Sequence, residues 1–127
     1  MASVTLGGTP VNTIDNLPKV GSPAPDFTLS RNDLSSVTLN DYRGKKLILN
    51  IFPSVDTGVC AQSIRTFNEK ASALENTEVL CISRDLPFAQ ARFCGAEGIE
   101  NVTTLSDFKQ GEFGKDYGIE LVDGGFE

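Results

Sequence analysis

Cys60 closes the stretch FPSVDTGVC, with Thr57 three residues before it and Pro53 seven before it. The apolar run Leu47-Ile-Leu-Asn-Ile-Phe precedes this stretch and an amphipathic pattern follows it, so it lies at a strand-to-helix corner. An ordinary cysteine, with a pKa of about 8.5, is only a few per cent thiolate at neutral pH, and the thiolate is the nucleophile. The first turn of a helix supplies unpaired N–H groups and roughly half a positive charge, which can hold a thiolate at neutral pH. The chain has no histidine, which removes Ser-His-Asp and Cys-His nucleophile pairs. Cys60 is therefore a candidate nucleophile activated by a helix start. Thr57 could hydrogen-bond beside its sulfur, and Pro53, with no N–H, could wall a dry pocket. Each residue also has an ordinary reading: a core cysteine on a helix stripe, an N-cap, and a strand stop.

The other two cysteines differ in setting. Cys81 lies within VLCIS and reads as an inert core residue. Cys94 is expected at the end of a short helix, beside Gly95, where local unwinding is cheap. Three cysteines with no close pair and no histidine do not match zinc-site spacing.

A chain of 127 residues suits one domain, expected to span 1–127. Its net charge of −6 and scattered Lys and Arg argue against nucleic-acid binding. No stretch approaches the roughly 18 apolar residues of a membrane helix, and the N-terminus lacks a basic, apolar signal pattern. The expected location is cytoplasmic, with no membrane partner.

These residues need a scaffold. Val4 to Asn12 reads as a hairpin turning on Gly7-Gly8, followed by a stiff Val20-Gly-Ser-Pro-Ala-Pro loop. Phe27–Ser30 is an expected short strand, and Val37 to Tyr42 leads to a turn at Arg43-Gly44. Leu47–Phe52 reads as a strand buried on both faces. Cys60, Ile64, Phe67, Ala71 and Leu74 form the stripe of a helix over 59–75. Glu78–Ser83 is a second strand, and Pro87 starts a helix that Gly95 is expected to end. Val102–Leu105 is a third strand, and Phe108–Tyr117 a last, weaker helix. This alternation predicts an α/β fold with parallel crossovers and its site at a strand end.

Pro53-Ser-Val-Asp-Thr57-Gly-Val-Cys60 resembles the Pro-x-x-x-Thr-x-x-Cys motif of the peroxiredoxins. LNIFPSVDTGVCAQSIRTFN and LCISRDLPFAQARFCGAEG both resemble the bacterial thiol peroxidase subfamily, an atypical two-cysteine branch. The resemblance covers essentially the whole chain and implies a thioredoxin-like fold with an N-terminal β-hairpin. It implies that Cys60 is the peroxidatic cysteine, oxidised to a sulfenic acid by alkyl hydroperoxides or hydrogen peroxide. Thr57 would then hydrogen-bond the peroxide and Pro53 would shield the pocket. Cys94 would be the resolving cysteine, forming an intramolecular Cys60–Cys94 disulfide that thioredoxin reduces. Such a bridge closes 34 positions, a restriction of the unfolded chain of about 4 kcal/mol. The resemblance further implies a homodimer, and no metal, haem or flavin cofactor.

The family also carries an arginine on a later strand, followed by a strand pair and helix; the sequence is expected to stop before them, at Asp123–Glu127. Arg65, Arg84 and Arg92 do not match that motif position. Two further readings stand beside the peroxidase: a redox sensor or regulatory binder with little turnover, and an inactive truncation.

Overall fold

The structure is a computed structural model describing residues 2–6, 8–56, 58–71, 73–109 and 111–122. Thr57 and Gly7, singled out above, lie outside the described residues. The chain divides into two compact units, Met1–Phe27 with Gly111–Glu127, and Thr28–Gln110.

In the first unit, β1 (Ser3–Leu6) and β2 (Thr9–Asn12) form the expected antiparallel hairpin, with Val4 opposite Val11. Gly8 takes φ +84° in its turn, a conformation that costs glycine nothing. The expected helix over 108–117 shrinks to α3, the single turn Phe113–Asp116. Aromatic packing takes over instead: Phe113 meets Phe27 edge-on at 5.9 Å and stacks on Tyr117 at 4.4 Å. The Tyr117 hydroxyl donates to the Pro25 carbonyl at 2.7 Å.

The second unit holds a five-stranded mixed sheet. Its strands are β3 (Thr28–Ser30), β4 (Ser36–Thr38), β5 (Lys46–Ile51), β6 (Thr77–Ser83) and β7 (Thr103–Ser106), in the order β4-β3-β7-β6-β5. A 3-10 turn over Leu39–Tyr42 follows β4. β5, β6 and β7 run parallel, with Leu49 beside Leu80 and Leu80 beside Thr103; β3 is antiparallel to both β7 and β4. α1 (Gly58–Ala71) connects β5 to β6, and α2 (Pro87–Glu97) connects β6 to β7. Both crossovers step the same way along the sheet, so right-handedness puts both helices on one face. They enclose a core of Phe52, Val55, Ala61, Ile64, Val79, Cys81, Phe93 and Ile99. β6 is the strand buried on both faces. β5, expected to be so, is only half-buried, because it ends the strand order among the described residues.

Two helix ends differ from expectation. α1 stops at Ala71, where Leu74 N–H turns back to the Ala71 carbonyl at 3.1 Å and Asn76 adopts φ +51°. Leu74 therefore leaves the stripe, while Ala61 joins Ile64 as a buried position. Gly95 sits inside α2, and Gly98 ends the helix at φ +66°, its N–H and that of Ile99 both donating to the Cys94 carbonyl.

Candidate active site

Phe52 N–H bonds the Ile82 carbonyl at 3.1 Å, extending the β5–β6 ladder one residue before Pro53 breaks it. Pro53 is exposed. Val55, buried into the core, pins the loop that follows, and Asp56 N–H donates to Ser54 Oγ at 3.1 Å. α1 begins at Gly58, which puts Cys60 in its first turn, as the spacing required. Cys60 is half-buried against the core cluster, and its carbonyl accepts from Ser63 Oγ at 2.7 Å. Its neighbour Val59 is 85% exposed, so the helix start opens to solvent.

Cys94 occupies the last turns of α2, also half-buried and packed on the same cluster. Burial pushes its thiol above the ordinary cysteine range, opposed by a hydrogen bond with the Thr104 side chain. Cys81 is fully buried on β6, where loss of water drives its thiol up to about 11. Asn50 Nδ2, 3.7 Å from the Cys81 sulfur, opposes this only weakly. All three cysteines are free thiols. The fold thus brings Cys60 and Cys94 onto one core from two different helices, and places Cys81 as the inert core residue expected.

Two ion pairs tie the parts carrying these thiols. Arg65 of α1 makes two hydrogen bonds to Glu97 of α2, at 3.1 and 2.8 Å, and lies 5.9 Å over the Phe93 ring. Arg92 of α2 reaches Asp56, ahead of α1, at 3.4 Å. Among the described residues no group of three or more His, Cys, Asp or Glu is placed to hold a metal ion.

Sequence reasoning missed a polar cluster at the end of β6. Asp85 accepts from Ser54 Oγ at 2.7 Å, Val55 N–H at 2.8 Å and Ser83 Oγ at 2.7 Å. Gln90, fully buried in α2, donates through Nε2 to Ser83 Oγ at 3.0 Å and the Leu105 carbonyl at 2.8 Å. The available signal was positional: SRD follows a buried strand whose end faces a helix start.

Three parallel strands, two helices on one face and a cysteine in the helix turn after β5 define a thioredoxin-like fold of the peroxiredoxin type. The sequence model of the redoxin family matches residues 19–125. The thiol peroxidases of Mycobacterium bovis and Mycobacterium tuberculosis H37Rv are each 58% identical over 124 residues, covering 98% of this chain and 74% of theirs. A crystal structure of a peroxiredoxin-like protein from Aquifex aeolicus superposes with TM-score 0.88 at 35% identity, covering 98% of this chain and 72% of that one. The thiol peroxidase from Chromobacterium violaceum, at 21% identity, shares the fold with TM-score 0.84, over 98% of this chain and 73% of its own. The chain belongs to the redoxin family and, within it, to the thiol peroxidases. No helix among the described residues is long and apolar enough to cross a membrane.

Proposed function

We propose that this thiol peroxidase reduces organic hydroperoxides and hydrogen peroxide through a two-cysteine cycle, with thioredoxin as the reductant. The observation that carries the reading is the placement of Cys60 in the first turn of α1 while Cys94 packs on the same core from α2. The Cys60 sulfur attacks the terminal peroxide oxygen; an S–O bond forms, the O–O bond breaks, and the leaving oxygen takes a proton to become an alcohol or water. Thr57 steadies the peroxide and Pro53 shields the resulting sulfenic acid. The Cys94 sulfur then displaces the sulfenic oxygen as water and closes an intramolecular disulfide. A dithiol reductant of the thioredoxin kind opens it by exchange, taking up the two oxidising equivalents. The working form is a cytoplasmic homodimer.

The test is peptide mass mapping of the reduced chain, quenched within seconds of adding one equivalent of cumene hydroperoxide. A Cys60–Cys94 disulfide with Cys81 free is expected. Cys60→Ser abolishes peroxide consumption; Cys94→Ser allows one oxidation and blocks recycling by thioredoxin. Sustained thioredoxin-driven turnover of Cys94→Ser would remove Cys94 from the cycle.

A further inference from the structure

The geometry points to Asp85 as a positioning residue for the peroxide pocket, a role that rests on the reading of Cys60 as the peroxidatic nucleophile. Asp85 lies two residues beyond β6 and is itself fixed at both backbone ends. Its N–H donates to Ser83 Oγ at 3.3 Å, and its carbonyl accepts from the Ser106 hydroxyl at the end of β7. Asp85 is thus held by the ends of β6 and β7, and its carboxyl group faces the loop that leaves β5. Its Oδ1 takes the Ser54 hydroxyl at 2.7 Å, and its Oδ2 takes both the Val55 N–H at 2.8 Å and the Ser83 hydroxyl at 2.7 Å.

Three donors converge on this carboxyl group, which meets them with its two oxygens. An asparagine of the same shape that keeps its oxygen on Val55 N–H and Ser83 turns its NH2 toward Ser54, whose hydroxyl must then reverse from donor to acceptor. The bonded loop residues adjoin Pro53 on one side and lie five or six positions before Cys60 on the other. Asp85 therefore sets where the walls of the pocket stand relative to the sulfur. Its effect on Cys60 runs through this loop and is geometric. Reactions that need peroxide and sulfur aligned depend on it, whereas simple alkylation of the thiol does not.

The same chain of bonds continues through Ser83 to Gln90 of α2, the helix that carries Cys94. The loop before Cys60 and the helix of Cys94 are thereby referenced to one strand end.

The experiment compares two rates at Cys60 in the full chain, each read by rapid quench and mass mapping of that residue. One is oxidation by cumene hydroperoxide, the other alkylation by iodoacetamide. In Asp85→Asn the oxidation rate constant falls about 10- to 100-fold, the range for reacting groups displaced by up to an ångström, while alkylation stays within about twofold of wild type. Ser54→Ala, which removes one of the bonds and leaves Asp85 in place, gives a smaller fall of about threefold in oxidation alone. It carries the test by itself if Asp85→Asn does not fold. Equal losses in both rates would show a disturbed thiol or fold rather than positioning, and unchanged oxidation in a folded variant would remove the role; either overturns the inference. A wild-type chain whose Cys60 ignores the hydroperoxide overturns the peroxidatic reading and, with it, this one.

Discussion

Replacing Cys81 with alanine should flatten the alkaline loss of stability by a calculable amount. Burial raises the Cys81 thiol from a reference value of 9.0 to about 11 in the folded chain. Between those values the unfolded chain has released the proton and the folded chain has kept it. Unfolding then releases a proton, so stability falls as pH rises. The contribution is complete below pH 9.0 and gone by about pH 11. A shift of this size is worth about 3 kcal/mol in full, and about 1 kcal/mol of it is lost by roughly pH 10. Urea unfolding of the reduced wild type and Cys81→Ala, at about pH 8 and pH 10, isolates this term because the other titrating groups are common to both. The variant starts less stable at the lower pH, by about 1–2 kcal/mol for the lost sulfur contacts. The gap should narrow by about 1 kcal/mol at the higher pH. A gap that stays constant within a few tenths of a kcal/mol would mean that Cys81 ionises as readily folded as unfolded, and its reading as an inert core thiol would fail.

Two glycines should respond in opposite ways to alanine. Gly118 has φ +69°, and a Cβ there would lie 2.2 Å from the Asn16 carbonyl oxygen, a backbone atom that cannot swing aside. Gly118→Ala should cost at least about 2 kcal/mol and lower Tm by several degrees in calorimetry; an unchanged Tm would contradict this packing. Gly95 lies inside α2 with open space around its would-be Cβ, so Gly95→Ala should stabilise by up to about 1 kcal/mol. Stiffening the helix beside Cys94 should also slow closure of the proposed Cys60–Cys94 disulfide in rapid-quench mapping. Faster closure would show that unwinding near Gly95 is not part of that step.

The parallel strands were legible because Leu47–Phe52, Glu78–Ser83 and Val102–Leu105 are apolar runs of strand length, and α1 because Cys60, Ile64, Phe67 and Ala71 share a helical face. The errors have local causes. Gly95 and Gly98 are both plausible helix stops, and only the left-handed backbone at Gly98 decides between them. Phe113 and Tyr117 carry a helical spacing whose purpose is an aromatic stack with Phe27. Leu74 kept the α1 period for one residue too many, past a turn that Asn76 completes without a glycine. On α2, Phe88 is 63% exposed while polar Gln90 is fully buried, so hydrophobicity does not mark this helix's inner face. Asp85 was invisible because its meaning depends on Ser54 and Val55, some thirty positions away. A carboxylate in a strand-end loop is ordinary until the loop it holds is known.

Burial sets Cys81 apart from the two helix-borne thiols, Cys60 and Cys94, which are both half-buried. Cys81 has no access to water and stays neutral, so it does not compete as a nucleophile. Cys94 is half-buried and its folded position also favours the neutral thiol. In the proposed cycle Cys94 attacks as thiolate, so its folded place would hold it in reserve. Unwinding the end of α2 would remove the burial that keeps Cys94 protonated and free its sulfur to travel toward Cys60. In the proposed cycle movement and activation would then be one event, opposed by the bonds through Arg65, Arg92 and Gln90 that fasten α2.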